Sequence, residues 1–279
     1  MTTSPTISFI GAGNMASAII GGMLDSGIQA ASIWASAPDD EHLETLRKRF
    51  GVSVTSDNRY CAQQGDVVIL AVKPQIMADV CRDIAPLVQN TRPLVVSIAA
   101  GLGADTLDQW LGGGLPLIRV MPNTPSLVGK GAAGLYANAA VSDEQKATTE
   151  TIFNSVGKAV WLESEDQLHA VTALSGSGPA YFFLMLEALE AAATEAGVAP
   201  GNARELAIQT MAGAAEMAAR SDQDPAQLKR NVMSPGGTTE RAIQCFEDGG
   251  LRPLVKDAFA AALKRSREMA SELAGKNPG

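Results

Sequence analysis

The side chains that most often carry acid–base or nucleophilic chemistry are scarce in this chain. It holds two histidines, His42 and His169, and three cysteines, Cys61, Cys81 and Cys245, among 279 residues. The cysteines are an odd, widely spaced set with no CxxC, which suggests neither a disulfide framework nor a thiolate metal site and fits a reducing cytosol. There is no GxSxG, no HExxH and no cluster with metal-ligand spacing, so hydrolase and metalloenzyme readings have no support and no metal is expected. His42 falls on a predicted surface helix and His169 beside a domain boundary, and both read as structural. Two glycine-rich stretches remain, "FIGAGNMA" near the N-terminus and "MSPGGTTERA" at 233–242.

The first stretch sets Gly11, Gly13 and Ala16 in a GxGxxA pattern. In a dinucleotide loop the first glycine makes a tight turn, the second lets a pyrophosphate approach the backbone, and the third small residue lets helix pack on strand, with the helix N-terminus facing the phosphates. In an Ala/Gly-rich chain the same pattern also arises from turn and packing alone. Its place directly after an N-terminal strand favours the cofactor reading. At the end of the second strand, "WASAPDD" puts Ser36 and Ala37 where a carboxylate would select NAD. The missing carboxylate favours NADP. No arginine nearby clearly clamps a 2′-phosphate, and Asp39 reads equally as a helix cap. Lys73 in "AVKPQ" either faces the cofactor or is a solvated lysine before a helix-starting Pro74. Asn123 and Thr124 in "VMPNTPSLVG" are either ligands or turn-formers, and the turn is the plainer reading.

These residues can act only if regular elements hold them. Probable strands at 7–10, 32–35, 52–55, 67–72, 94–98 and 117–120 alternate with helix-like runs such as 15–26, 39–50 and 76–88, a βαβ series with short, continuously apolar strands. Two more strand-like pieces, "AAGLYAN" and "KAVWLES", flank a helix beginning near Ser142. Beyond Glu165 the β signal stops and the chain turns Ala-, Leu- and Met-rich at helical spacing. The expected fold is an α/β Rossmann domain over 1–164, followed by an all-α domain over 165–279.

A chain 46% apolar and only 19% charged can bury a substantial core. Its net charge of −8, spread without a basic stripe, gives no electrostatic footprint for nucleic acid or an anionic membrane. The first apolar run, "ISFIGAG", lacks a basic lead and is broken by glycine, unlike a signal peptide. The longest uncharged stretch contains "SGSGP" and makes a poor membrane span. The expectation is a soluble, cytoplasmic protein.

With so few acids and bases in view, hydride addition to a protonated imine suits the chain well. The iminium arrives already carrying its proton and positive charge, and positioning does most of the work. "FIGAGNMA", "AVKP", "VVSIAAG", "RVMPNTP", "LSGSGPAY" and "SPGGTT" follow one another in that order. On these motifs the chain resembles the pyrroline-5-carboxylate reductase family over nearly its full length.

The resemblance implies reduction of 1-pyrroline-5-carboxylate to L-proline by NADPH, with NADH left open as a second donor. It also implies a helical domain that interleaves with a second subunit as a homodimer, commonly assembled further into a decamer. On the nucleotide side it points to Ile10, Gly11, Ala12, Gly13, Asn14 and Met15, and to Ser36 and Asn58. Ala71, Val72, Lys73 and Pro74, with Ile98, Ala99 and Ala100, complete that side. On the substrate side it points to Glu165, Asn231 and the loop Ser234, Gly236, Gly237 and Thr238, with Thr239, at the family's proposed donor position, orienting the ring nitrogen and relaying a proton through water. The N–H groups of Gly236, Gly237 and Thr238 would form an anion nest for the substrate carboxylate. "SPGGTT" alone would read as a turn with a threonine cap, and only the company of the other motifs makes it a substrate loop. In "SGSGPAY", Pro179 starts a helix and the small residues are read as packing.

Two alternatives stand beside this reading. One is a related reductase, acting on a six-membered imine or on a 3-hydroxyacid, although the latter expects a lysine where 166–203 has neither Lys nor Arg. The other is a protein that binds NADP without turnover.

Overall fold

The computed structural model describes residues 5–276, so 1–4 and 277–279 of the two expected domains lie outside the described residues. The elements run β1 (Ile7–Ile10), α1 (Asn14–Asp25), β2 (Ile33–Ser36), α2 (Asp40–Phe50), β3 (Ser53–Thr55), α3 (Asn58–Gln64), β4 (Val67–Leu70), α4 (Met77–Thr91), β5 (Leu94–Ser97), α5 (Ala104–Trp110), β6 (Leu117–Met121), β7 (Gly131–Ala137), α6 (Asp143–Asn154) and β8 (Gly157–Trp161). Then follow α7 (Gln167–Val171), α8 (Gly178–Glu195), α9 (Pro200–Arg220), α10 (Pro225–Asn231), α11 (Thr238–Asp248) and α12 (Leu251–Lys276).

The strands form one sheet in the order β3-β2-β1-β4-β5-β6-β7-β8. Every neighbouring pair is parallel except β6 and β7. Strands β1, β4 and β5 are buried at every residue, which is why they read as unbroken apolar runs: each face of a parallel sheet is covered by helices. Alternate residues feed two cores. Phe9 and Ile69 join Ile19, Ile20 and Met23 of α1 on one face. Ile10, Val68 and Leu70 join Met77, Cys81 and Ile84 of α4 on the other.

Helix boundaries follow local chemistry. The Asp39 side chain accepts hydrogen bonds from the N–H groups of Glu41 and His42, while Gly51 ends α2 at a φ of 70°. Ser142 and Gln145 form a reciprocal capping box at α6. Strand β4 stops at Leu70, two residues short of the expected end. Beyond it the N–H of Ala71 still reaches the Ile10 carbonyl, but Pro74 opens a single 3-10 turn and has no N–H to extend the ladder.

By compactness, residues 5–177 and 262–276 form one unit and residues 178–261 a second. This differs from a single cut at 164/165. The last part of α12 returns to the sheet-bearing unit, where Ser266 is buried. In the second unit α8 and α9 pack on each other across a turn at Gly197 with φ 97°. No described helix is long and apolar enough to cross a membrane.

Candidate active site

The strand order reverses around β1 and β4, and in an open parallel sheet ligands bind in the crevice at the carboxyl ends of the strands there. Gly11 leaves β1 at that edge with φ 98°, and a Cβ on it would sit 2.8 Å from the Ala71 carbonyl carbon and oxygen. No side chain fits. Gly13 is the N-cap of α1, extended and without a side-chain capping bond, and a Cβ there would meet nothing within 4 Å. Ala16, 1% exposed, packs the helix onto the sheet. The N-terminal N–H groups of α1 thus open onto free space above a glycine, the cradle a pyrophosphate requires.

The carboxyl end of β2 is framed by contacts between residues 22 to 30 positions apart. The Gly11 N–H donates to the Ser36 carbonyl at 3.0 Å. The buried Ser36 hydroxyl lies 2.8 Å from Asn58 Oδ1 and 3.3 Å from the Phe9 carbonyl, which brings together two residues expected on the nucleotide side. The Asp39 carboxylate accepts both of its cap bonds at Oδ1 and keeps its charge, while the end of β2 itself carries Ser36 in place of a carboxylate. His42 Nε2 stands 2.5 Å from the Ala12 carbonyl, tying α2 to the phosphate loop. The contact of this residue, expected to be structural, is with the glycine loop itself.

Along the same edge, Lys73 is exposed and extended before the Pro74 turn. After β5, the Ile98 N–H donates to the Leu70 carbonyl at 3.2 Å and the Ala99 N–H to Ser97 Oγ at 3.3 Å. Asn123 makes the turn through its backbone carbonyl, which accepts from Ser126 at 3.1 Å, while its side chain links other segments: Nδ2 donates to the Ser175 carbonyl at 2.9 Å and Oδ1 accepts from Ala132 at 2.8 Å. Thr124 is exposed and starts a 3-10 turn. Gly176 lies in a π turn, Thr172–Gly176, where a Cβ would come within 2.8 Å of Met121 Cε, so this small residue serves close packing.

Glu165 belongs to the sheet-bearing unit. Its Oε1 accepts from Arg119 Nη1 at 2.7 Å and from the Ala104 N–H at 2.6 Å. Arg119 was not singled out from the sequence, although one cation inside the apolar run "LPLIRVM" was a signal of a buried partner. Nearby, His169 Nδ1 meets Ser266 Oγ at 2.8 Å and Arg267 pairs with Asp166 at 2.7 Å.

In the second unit Asn231 ends α10, its Nδ2 donating to Gln223 Oε1 at 2.7 Å. Gly236 has φ 72°. The expected nest of three free donors is partly filled from within: the Gly236 N–H donates to Glu240 Oε2 at 2.7 Å and the Gly237 N–H to the Ser234 carbonyl at 2.9 Å. Glu240, absent from the sequence-based list, stands one turn into α11 and its negative charge is favoured at that helix start. Thr238 and Thr239 form the first turn of α11 behind Gly237, which has no side-chain cap.

Residues 165–269 match the family model described as pyrroline-5-carboxylate reductase dimerisation, and residues 6–101 match that of the coenzyme F420-dependent NADP oxidoreductases. A pyrroline-5-carboxylate reductase of Pseudomonas aeruginosa is 46% identical over 97% of this chain and 99% of its own length. The chain belongs to the pyrroline-5-carboxylate reductase family. A solved member from Coxiella burnetii superposes with a TM-score of 0.93 at 43% identity, covering 96% of this chain and 99% of that one. A member from Plasmodium falciparum, solved with NADP bound, gives 0.84 at 32% identity, covering 96% and 98%. The fold expected on the motifs, a Rossmann domain followed by helices that match the family's dimerisation region, is the one found.

Proposed function

We propose that this chain reduces 1-pyrroline-5-carboxylate to L-proline, the final step of proline synthesis, with NADPH as hydride donor and NADH as an alternative one. One observation carries the reading in the geometry: an uncapped helix start behind Gly13 beside the Ser36–Asn58 pair, with Asp39 turned into a helix cap. That site suits a dinucleotide, and Ser36 in place of a carboxylate at the end of β2 favours one bearing a 2′-phosphate. The bound cofactor supplies the hydride.

The chain's own residues bind and orient. Gly11 to Met15 receive the pyrophosphate on the α1 N-terminus, Ser36 and Asn58 hold the adenosine ribose, and the stretches 71–74 and 98–100 line the nicotinamide. On the substrate side Glu165, Asn231 and the loop from Ser234 to Thr239 receive the imine. The carboxylate is held by the Thr238 N–H and, once Glu240 swings away, by the Gly236 N–H. The Thr239 hydroxyl orients the ring nitrogen. Because the iminium brings its own proton, which stays on the product nitrogen, no side chain must surrender one during hydride transfer. The residues from 165 onward serve substrate binding and dimerisation, the dimers assemble to a decamer, and the protein works in the cytoplasm.

The test is NADPH oxidation with the five-membered imine acid, run beside NADH and beside the six-membered homologue. Fast turnover of the five-membered ring with NADPH is expected. Thr239→Val should lower kcat about 10 to 100-fold for one lost orienting hydrogen bond, with NADPH affinity unchanged. Full activity in that variant overturns the role of Thr239, and wild-type protein that binds NADPH but reduces neither imine overturns the function.

A further inference from the structure

The dimerisation match ends at residue 269, yet helix α12 runs on to Lys276. Its continuation packs on the sheet-bearing unit. Leu273 is half-buried against the apolar core on the α4 side of the sheet, the same core that Ala99 and Leu102 enter from the segment after β5. Between those two residues Ala100 and Gly101 form a turn. Gly101 has φ 79°, the value a glycine takes at the third position of a type II turn.

Hydrogen bonds fix both ends of this segment: Ile98 to Leu70 and Ala99 to Ser97 at the start, and the Ala104 N–H to Glu165 at the far end. The turn between them is backed by α12. A Cβ on Gly101 would lie 3.0 Å from Leu273 Cδ1 and 3.8 Å from the Ala270 nitrogen, so the helix rests directly on the glycine backbone. Glycine leaves a turn with the most freedom to lose, and here an apolar side chain from 172 positions along the chain removes it. From this packing we infer that Leu273 is a positioning residue for the Ala100–Gly101 turn and, through that turn, for the nicotinamide end of the cofactor. The inference rests on the reading of 98–100 as a nicotinamide wall given above.

Two variants test it. Leu273→Ala opens a gap behind the turn, and Leu273→Met fills the same space with a side chain of like volume. Each is titrated calorimetrically with NADPH and with 2′-phospho-ADP-ribose, which keeps the adenosine and both bridging phosphates but lacks the nicotinamide ring. In Leu273→Ala the NADPH dissociation constant should rise about 5 to 30-fold, the scale of ordering one residue of loosened backbone on binding. Affinity for 2′-phospho-ADP-ribose should hold, and Leu273→Met should restore most of the affinity for NADPH.

A lower melting temperature for Leu273→Ala with both affinities unchanged would make Leu273 a packing residue only and overturn the inference. An equal weakening of the two ligands would overturn it as well, because the whole nucleotide site would then have loosened. Ala100→Leu probes the reading beneath it, since added bulk against the nicotinamide must weaken NADPH and spare 2′-phospho-ADP-ribose. Unchanged NADPH affinity in Ala100→Leu overturns that reading and the inference with it, whereas weakening there without weakening in Leu273→Ala overturns the inference alone. None of these titrations needs turnover, so the outcome stands even if wild-type protein reduces neither imine.

Discussion

His42 shows how one side chain sets the shape of a backbone loop. A carbonyl oxygen only accepts, so the 2.5 Å contact with Ala12 requires the proton on Nε2, a tautomer assigned from its partner. His42→Leu removes the donor and leaves the loop held by Gly11 to Ser36 and by the longer Ser17 hydroxyl bond to the Ala12 carbonyl. Dissociation constants for NADPH and NADH should both rise about 2 to 10-fold, the range for one net hydrogen bond, with imine KM unchanged. Isothermal titration with each nucleotide decides the matter; a rise for NADPH only would mean that the ring reads the 2′-phosphate. The glycine pattern itself was legible because its parts are neighbours in sequence and each has a local steric cause. Contacts such as His42 to Ala12, or Glu165 to Arg119 and Ala104, join residues 30 to 61 positions apart. No spacing rule reaches across such distances. Asn123 was undecidable for the same reason, since both of its amide partners lie outside its own turn.

At the scale of elements, apolar runs and cap signals placed the first six strands and the first two helices within a residue or two, while α4 runs on to Thr91 and β8 stops at Trp161, three residues from the expected ends. Short α3 and α5 carry too few turns for a periodic pattern, and they take their caps from Asp57 and from distant Glu165. The end of α12 was harder still. It read as the last helix of the second domain, yet it docks on the sheet-bearing unit through Ser266, Arg267 and Leu273, which lies 3.0 Å from a Cβ placed on Gly101. That docking carries a pH dependence. Burial, with help from Arg119 and Arg267, holds the His169 ring below the ordinary histidine range, against the opposing pull of Asp166 and Glu165. The unfolded chain therefore takes up the proton at a higher pH than the folded one. This contribution to stability is whole above about pH 6.5, the unperturbed value, and is lost as pH falls below it. Melting temperature should decline between about pH 7 and pH 5, and His169→Gln should flatten the decline. Parallel pH curves for the two proteins would rule the ring out.

For the whole molecule, the decisive surface is α8. Phe182, Phe183 and Leu184 are 60, 65 and 67% exposed, consecutive residues that point to more than one side of the helix. Leu206, Ile208 and Met217 of α9 are at least half exposed as well. An exposed apolar area of this kind marks an interface, and it falls within the region matched to the family's dimerisation model. Leu184→Glu should shift the protein toward monomer in sedimentation velocity with its helical circular dichroism largely kept, whereas an unchanged sedimentation coefficient would place the interface elsewhere.

The bare flank of α8 also ties endurance to quantity. Chains that hide this flank only against one another have a midpoint of thermal unfolding that climbs as the solution is made stronger. Their recovery after dilution is second order. An assay started from a very dilute stock would therefore open with a lag, and that lag would shorten in proportion to the amount of enzyme added.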